Sequence, residues 1–406
     1  MSGSDKDMIY YTDTQPWKMQ GKIVSVVEDN EHLGQVVSGV RQEGKNIDLR
    51  ISKARKALFS LLGPAFSYKC LLGPKVKLHL YRTFICPVLR SGLSSLVLTQ
   101  SSVSPLGVFQ RKTLKSVLKL SKQASTAGIH FLTGELPIEA KIYKYVYSLF
   151  YSIWCNPNTK IYEIVKYLVS HTTENSKTWS NYVNHLCKQY GLKSPGQMLQ
   201  CDPPSKSIFK SNIHTRIHSF HENILRYEAN NSDKLKYFHI SLLGLTGRQH
   251  PSLWGLITTS EVRKSRIHLK MLLGDYYTYE MKSQQSDCSP HCRVCASQTT
   301  KRHDSISESE SICHILVICE AYRDIRNNIL SQMHALCEQS VSGVNFSEVM
   351  KHPQALCQFL LDPSSMNLFA RISMQDPQLE SFFKLTRQLC YSINEKRLTL
   401  LRSLEK

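Results

Sequence analysis

Ile47-Asp48-Leu49-Arg50-Ile51-Ser52-Lys53-Ala54-Arg55-Lys56-Ala57-Leu58-Phe59-Ser60-Leu61-Leu62 is the stretch from which the fold class is read. Ile47, Ile51, Ala54, Leu58 and Leu62 recur at the three- and four-residue spacings of one helical face, while Arg50, Lys53 and Lys56 fall on the other faces. The segment predicts an amphipathic, basic α-helix. Gly63-Pro64 ends it, because a residue without Cβ followed by one without an amide proton cannot carry a helix on.

The same pattern extends along the chain. Upstream, His32 to Gly39 reads as one short strand closed by glycine. Downstream, a helix from about Lys75 to Leu96 sets Leu78, Tyr81, Phe84 and Ile85 on one side and is kinked by Pro87. Ser104-Pro105 announces a third helix, a cap residue followed by proline at the first helical position, with Arg111, Lys112, Lys115 and Lys119 outward. Gly134-Glu135-Leu136-Pro137 leads into the aromatic-rich helix Ile138 to Trp154. Further helices are expected at Ile161 to His171, Ser176 to Tyr190, Ile208 to Tyr227, Ser260 to Tyr279, Tyr322 to Leu336 and Leu379 to Leu401, between Asn-Pro, Ser-Pro-Gly and Pro-Pro breaks. The Ser260 helix turns Val262, Ile267, Met271 and Leu272 to a core and Arg263, Lys264, Arg266 and Lys270 to solvent or ligand. The expected fold is mainly α.

Among 406 residues, 51 Lys and Arg stand against 32 Asp and Glu, a formal charge of +19 that calls for a polyanionic partner, RNA or DNA. Lys and Arg on one face of several helices would line a channel that displaces counterions from a phosphate backbone without reading sequence. The residues expected to make it are Arg50, Lys53, Lys56, Arg82, Arg111, Lys112, Lys115, Arg263, Lys264, Arg266 and Lys270. Tyr143, Tyr147, Phe150, Tyr276 and Tyr277 are candidates to stack bases, although aromatics at helical spacing more often build a core. No membrane is expected: Met1 to Lys18 is polar, and the apolar run Ile138 to Trp154 is interrupted by Lys141 and Lys144. Thirteen scattered cysteines, an odd number, fit reduced thiols in the nucleus and cytoplasm.

Five of those cysteines crowd between Cys288 and Cys319. Cys292-Arg-Val-Cys295, then eighteen residues, then His314-Ile-Leu-Val-Ile-Cys319 makes C-x2-C-x18-H-x4-C. Three thiolates and an imidazole suit Zn²⁺ in a closed tetrahedron, a structural site with no open position for substrate. Cys292, Cys295, His314 and Cys319 are the expected ligands; Cys288, His291, His303 and Cys313 lie close enough to keep the choice open. A redox-active C-x2-C is disfavoured because no βαβ pattern precedes it. The chain has no Asp-Asp pair, Gly-rich phosphate loop, H-E-x-x-H or G-x-S-x-G, and because polymerases hold two divalent ions on paired carboxylates, no polymerase activity is expected of the chain on its own.

With these residues laid out, the chain resembles the C-terminal half of the reverse transcriptases of non-LTR (LINE-type) retrotransposons. His32-Leu33-Gly34 is similar to that family's Tyr-Leu-Gly strand between palm and thumb. The run Ile47 to Ala54 followed by Leu80-Tyr81-Arg82-Thr83-Phe84-Ile85-Cys86-Pro87-Val88-Leu89 resembles its thumb, R-I-x-K-A and then L-Y-x-T-x-I-x-P-x-L. Phe109-Gln110-Arg111-Lys112 and Gly134 to Ala140 resemble further landmarks, and the cysteine cluster its zinc knuckle. The resemblance implies a palm remnant with a truncated edge strand (1–45), a helical thumb (46–130), a helical connection region (131–280), a zinc-knuckle module (281–325) and C-terminal helices (326–406). It departs from the family in a long loop between Cys295 and His314 and in lacking the F/Y-A-D-D motif. The implied role is gripping RNA template and target DNA in target-primed reverse transcription, with the remaining parts of the enzyme as partners. Mg²⁺ would act only in the full-length parent enzyme. The alternative is a domesticated zinc-containing helical adaptor that binds proteins.

Overall fold

The computed structural model describes residues 18–19, 22–23, 28–61, 72–171, 173, 176–240, 247–284, 286–298, 309–340, 351–365 and 377–405. These residues are mainly helical. Two small antiparallel hairpins come first: β1 (Lys18–Met19) with β2 (Lys22–Ile23), and β3 (Asp29–His32) with β4 (Gln35–Ser38). The helices follow in order: α1 (Gln42–Leu61), α2 (Pro74–Leu80), α3 (Cys86–Arg90), α4 (Gln100–Leu118), α5 (Thr126–Thr133), α6 (Ile138–Trp154), α7 (Lys160–His171) and α8 (Trp179–Gln189). Then come α9 (Pro195–Leu199), α10 (Lys206–Asn230), α11 (Thr259–Leu272), α12 (Tyr279–Ser283), α13 (Arg293–Gln298), α14 (Arg323–Ser340), α15 (Pro353–Leu361) and α16 (Pro377–Leu404). No helix among them is long and apolar enough to cross a membrane.

The structure revises several sequence expectations. His32 to Gly39 is not one strand: the chain reverses at Leu33 and Gly34, both at positive φ, as a tight hairpin turn requires. Asn46, buried in α1, locks that hairpin down by accepting from Val36 N (2.9 Å) and donating to Val36 O (2.7 Å). The cap of α4 is Thr99, whose hydroxyl accepts from Ser102 N in a capping box, so Pro105 lies inside the helix. The helix expected from Lys75 to Leu96 ends at Arg90: between α2 and α3 the residues Tyr81–Ile85 form a π turn, in which Cys86 N donates to Tyr81 O, and a separate 3₁₀ turn covers Leu93–Ser95. Pro87 has no N–H to return to the preceding turn, and a local widening of the ladder takes up the mismatch. The break expected at Gly63-Pro64, like Leu62, lies outside the described residues.

One contiguous cluster of buried apolar side chains runs through the described helices. At its N-terminal end α1 packs on α3 and α4, and α4 on α6; at its C-terminal end α16 packs on α11 and α14. Tyr143, Tyr147, Phe150 and Tyr276 belong to this core, each at most 5% exposed, so packing claims the rings that could have stacked on bases. Tyr277, 56% exposed, remains at the surface. Each such buried ring contributes a few kcal/mol at roughly 25 cal/mol per Å² of apolar surface, which is why a core role outweighs a display role.

Candidate metal centre and nucleic-acid interface

Cys292 stands just before α13 and Cys295 within its first turn, the usual outcome of a C-x2-C turn, which points two thiols the same way. The other pair needs a special backbone. Five residues of α-helix, at about 100° each, would leave His314 and Cys319 roughly 140° apart. His314–Ile318 instead form a π turn closed by Cys319 N donating to His314 O at 2.7 Å, which returns both side chains to one side. Ile315 and Leu316, fully buried, anchor this turn in the core.

The four ligand atoms of Cys292, Cys295, His314 and Cys319 lie within 4.8 Å of one another and could hold a metal ion. Cys295 Sγ is 3.4 Å from His314 Nε2 and 3.5 Å from Cys319 Sγ. Three of the four are buried and Cys295 is half-buried, so the cluster is closed to solvent on most sides. Crowding shifts the thiols in opposite directions: the hydrogen bond from Cys319 lowers the pKa of Cys292, against its burial, and raises that of Cys319. The other nearby donors stand apart. Cys288 interacts with Ser286, His291 is exposed, and Cys313 points at Pro353 O (3.5 Å). His303 lies outside the described residues.

Three residues that no sequence motif marks tie the cluster to the rest of the fold. Glu310, fully buried, receives Arg397 of α16 through Nε (3.1 Å) and Nη2 (2.6 Å) and accepts from Tyr279 N (2.9 Å). Its Oε1 lies 4.0 Å from Cys292 Sγ. Burial works against the Arg397 charge, but the bonded Glu310 carboxylate, with Tyr276 and Tyr322 nearby, more than offsets it, so its pKa is raised. Arg326 of α14 adds a bond to Cys319 O (3.2 Å). In the sequence Glu310 is one acid in a Ser-Glu alternation and Arg397 one base on a basic helix, so nothing local distinguishes either.

The basic residues expected to face a polyanion are placed unevenly. The Arg50 guanidinium is buried and donates to Gly34 O, holding the hairpin turn on α1. Arg82 pairs with buried Glu135 and also donates to Thr133 O (2.8 Å). Lys53 pairs with Glu31, Lys264 with Glu261 (3.4 Å), and Lys115 donates to Lys122 O (2.8 Å). Lys56, Lys112 and Arg263 are exposed; Arg111, Arg266 and Lys270 are half-buried. No family model, curated protein or solved structure matches the chain.

Proposed function

We propose that this protein is a zinc-stabilised nucleic-acid-binding chain, the C-terminal part of a non-LTR retrotransposon reverse transcriptase, which grips RNA template and target DNA and carries no catalytic centre of its own. The observation that carries this reading is the closed Cys292, Cys295, His314, Cys319 cluster in a helical chain of charge +19. Zinc suits the donor set, because three thiolates and an imidazole are the ligands it selects. A tetrahedron with bonds of about 2.0–2.3 Å has edges of roughly 3.5–3.8 Å, close to the separations at Cys295. With four protein ligands the ion supplies no Lewis acid to a substrate; it closes a fold that its short segments could not hold alone, a contribution of about 10–16 kcal/mol in isolated finger peptides.

In this reading the hairpin β3–β4 is the edge of a palm, α1 to α4 the thumb, α6 to α11 the connection, and α13 with the His314–Cys319 turn the knuckle. Lys56, Lys112 and Arg263, exposed on α1, α4 and α11, are the first phosphate contacts. The test is a salt titration of binding to labelled single-stranded RNA and duplex DNA by the zinc-loaded chain. Affinity falling steeply between about 50 and 200 mM salt supports the reading. A folded, zinc-loaded chain that binds neither at low salt overturns it in favour of a protein-binding adaptor.

A further inference from the structure

Helices α6 and α10 pack together, and between them opens a cavity of about 460 Å³. From α6 it is lined by Lys141, Lys144 and Tyr145, and from α10 by Lys210, His214 and His218. The α10 residues recur every four positions, a single stripe along the helix, and the two imidazoles stack at 4.1 Å. Arg90 reaches the same cavity with its guanidinium 4.4 Å from the centre of the Tyr145 ring.

The balance of charge here is one-sided. Among the described residues, Glu135 is the only carboxylate in the lining, and it is already bound by Arg82 and Lys141. No ion pair among the described residues neutralises Arg90, Lys144 or Lys210, and Glu139, on the next turn of α6, faces away toward His221 (3.6 Å). Burial and then Lys141 push Lys144 down to about 8; burial, then Lys144, His214 and His221, push His218 down to about 3. Cations gathered without an anion repel one another, and that repulsion is relieved when an anion enters. The volume is that of a small-ligand pocket, and Phe209, Ile213 and the half-exposed Tyr145 ring give it apolar walls.

We propose that this cavity binds the phosphate of a nucleotide, with Lys144, Lys210 and Arg90 supplying the charge, His214 and His218 the hydrogen bonds, and the Tyr145 side the base. The site is independent of the metal centre and goes beyond the retroelement reading, since the phosphate can belong to a free nucleotide or to one residue of a strand.

The experiment uses the full zinc-loaded chain, adenosine 5′-monophosphate and a short single-stranded RNA, with imidazole proton resonances and affinity as readouts. The proposal predicts saturable binding of the monophosphate or the strand that shifts the His214 and His218 resonances and raises their pKa values. Lys144→Gln with Lys210→Gln, two partly or fully exposed positions, should keep the circular dichroism of the parent and weaken that binding at least about tenfold. If the monophosphate binds and RNA affinity is the same in both proteins, the ligand is a free nucleotide; if RNA affinity falls with the variant, it is part of a strand. Resonances that move with neither probe, or a double variant that binds both as the parent does, overturn the proposal. RNA binding that survives in that second case leaves the nucleic-acid reading standing through the other basic helices, whereas monophosphate binding without RNA binding removes that reading and keeps the pocket.

Discussion

Arg397 and Glu310 meet as a buried, two-pronged ion pair that fastens the last helix to the loop carrying the metal ligands. Removing one partner strands the other charge in the core, which costs about 3–5 kcal/mol. Arg397→Met should therefore lower the unfolding free energy by that order and make the metal easier to strip by a chelator. Pairing it with Glu310→Leu should restore much of the stability. Urea unfolding and metal release kinetics on the three variants check this; equal metal retention in Arg397→Met and parent would contradict the coupling.

Glu135 makes stability depend on pH. Burial alone would raise its pKa, but Lys141 and Arg82 outweigh it and hold the folded value below the ordinary 4.5. A carboxylate lowered on folding stabilises fully above the unfolded value, and that contribution is lost as pH falls through the folded one. Stability should be level above about pH 5 and decline below it, and Glu135→Gln should remove this part of the acid slope while costing about 3 kcal/mol at neutral pH. Thermal unfolding from pH 7 to 3 is the measurement.

Two glycines should respond with opposite signs. Gly134 ends α5 at a φ of +66°, and a Cβ there would lie 2.1 Å from Arg248 O, so Gly134→Ala should destabilise by about 2–3 kcal/mol. Gly44, in the first turn of α1, has nothing within 4 Å of an added Cβ, and Gly44→Ala should stabilise by about 0.5 kcal/mol. Denaturant midpoints settle both.

Exposed and buried basic residues should separate in nucleic-acid binding. Arg263→Ala and Lys112→Ala should each reduce the slope of log affinity against log salt by about 1. Arg50→Ala, which frees the hairpin turn at Gly34, should lower stability and leave that slope unchanged. A slope that falls only in Arg50→Ala would reverse the assignment.

Helix positions were legible in the sequence wherever an apolar period met a local cap or break. Ile138–Trp154 matches its expected limits, and α7, α10 and α16 lie within a few residues of theirs. Features set by distant partners were not. Arg50 has the same local pattern as Lys56, and only the hairpin brought over it decides that one is buried and the other exposed. The C-x2-C and H-x4-C pairs showed which residues gather, yet not that a π turn is what aligns His314 with Cys319. The Lys210, His214, His218 stripe was visible at helical spacing, but its meaning depends on Lys144 and Tyr145, which belong to a helix far earlier in the chain.

The most direct measurement is the zinc content, by elemental analysis, of the purified chain and of its Cys292→Ser, Cys295→Ser variant. One zinc per parent chain is expected, with its loss in the variant and, along with it, a loss of helical circular dichroism. A parent chain that folds fully without zinc, or a variant that keeps both metal and helicity, would contradict it.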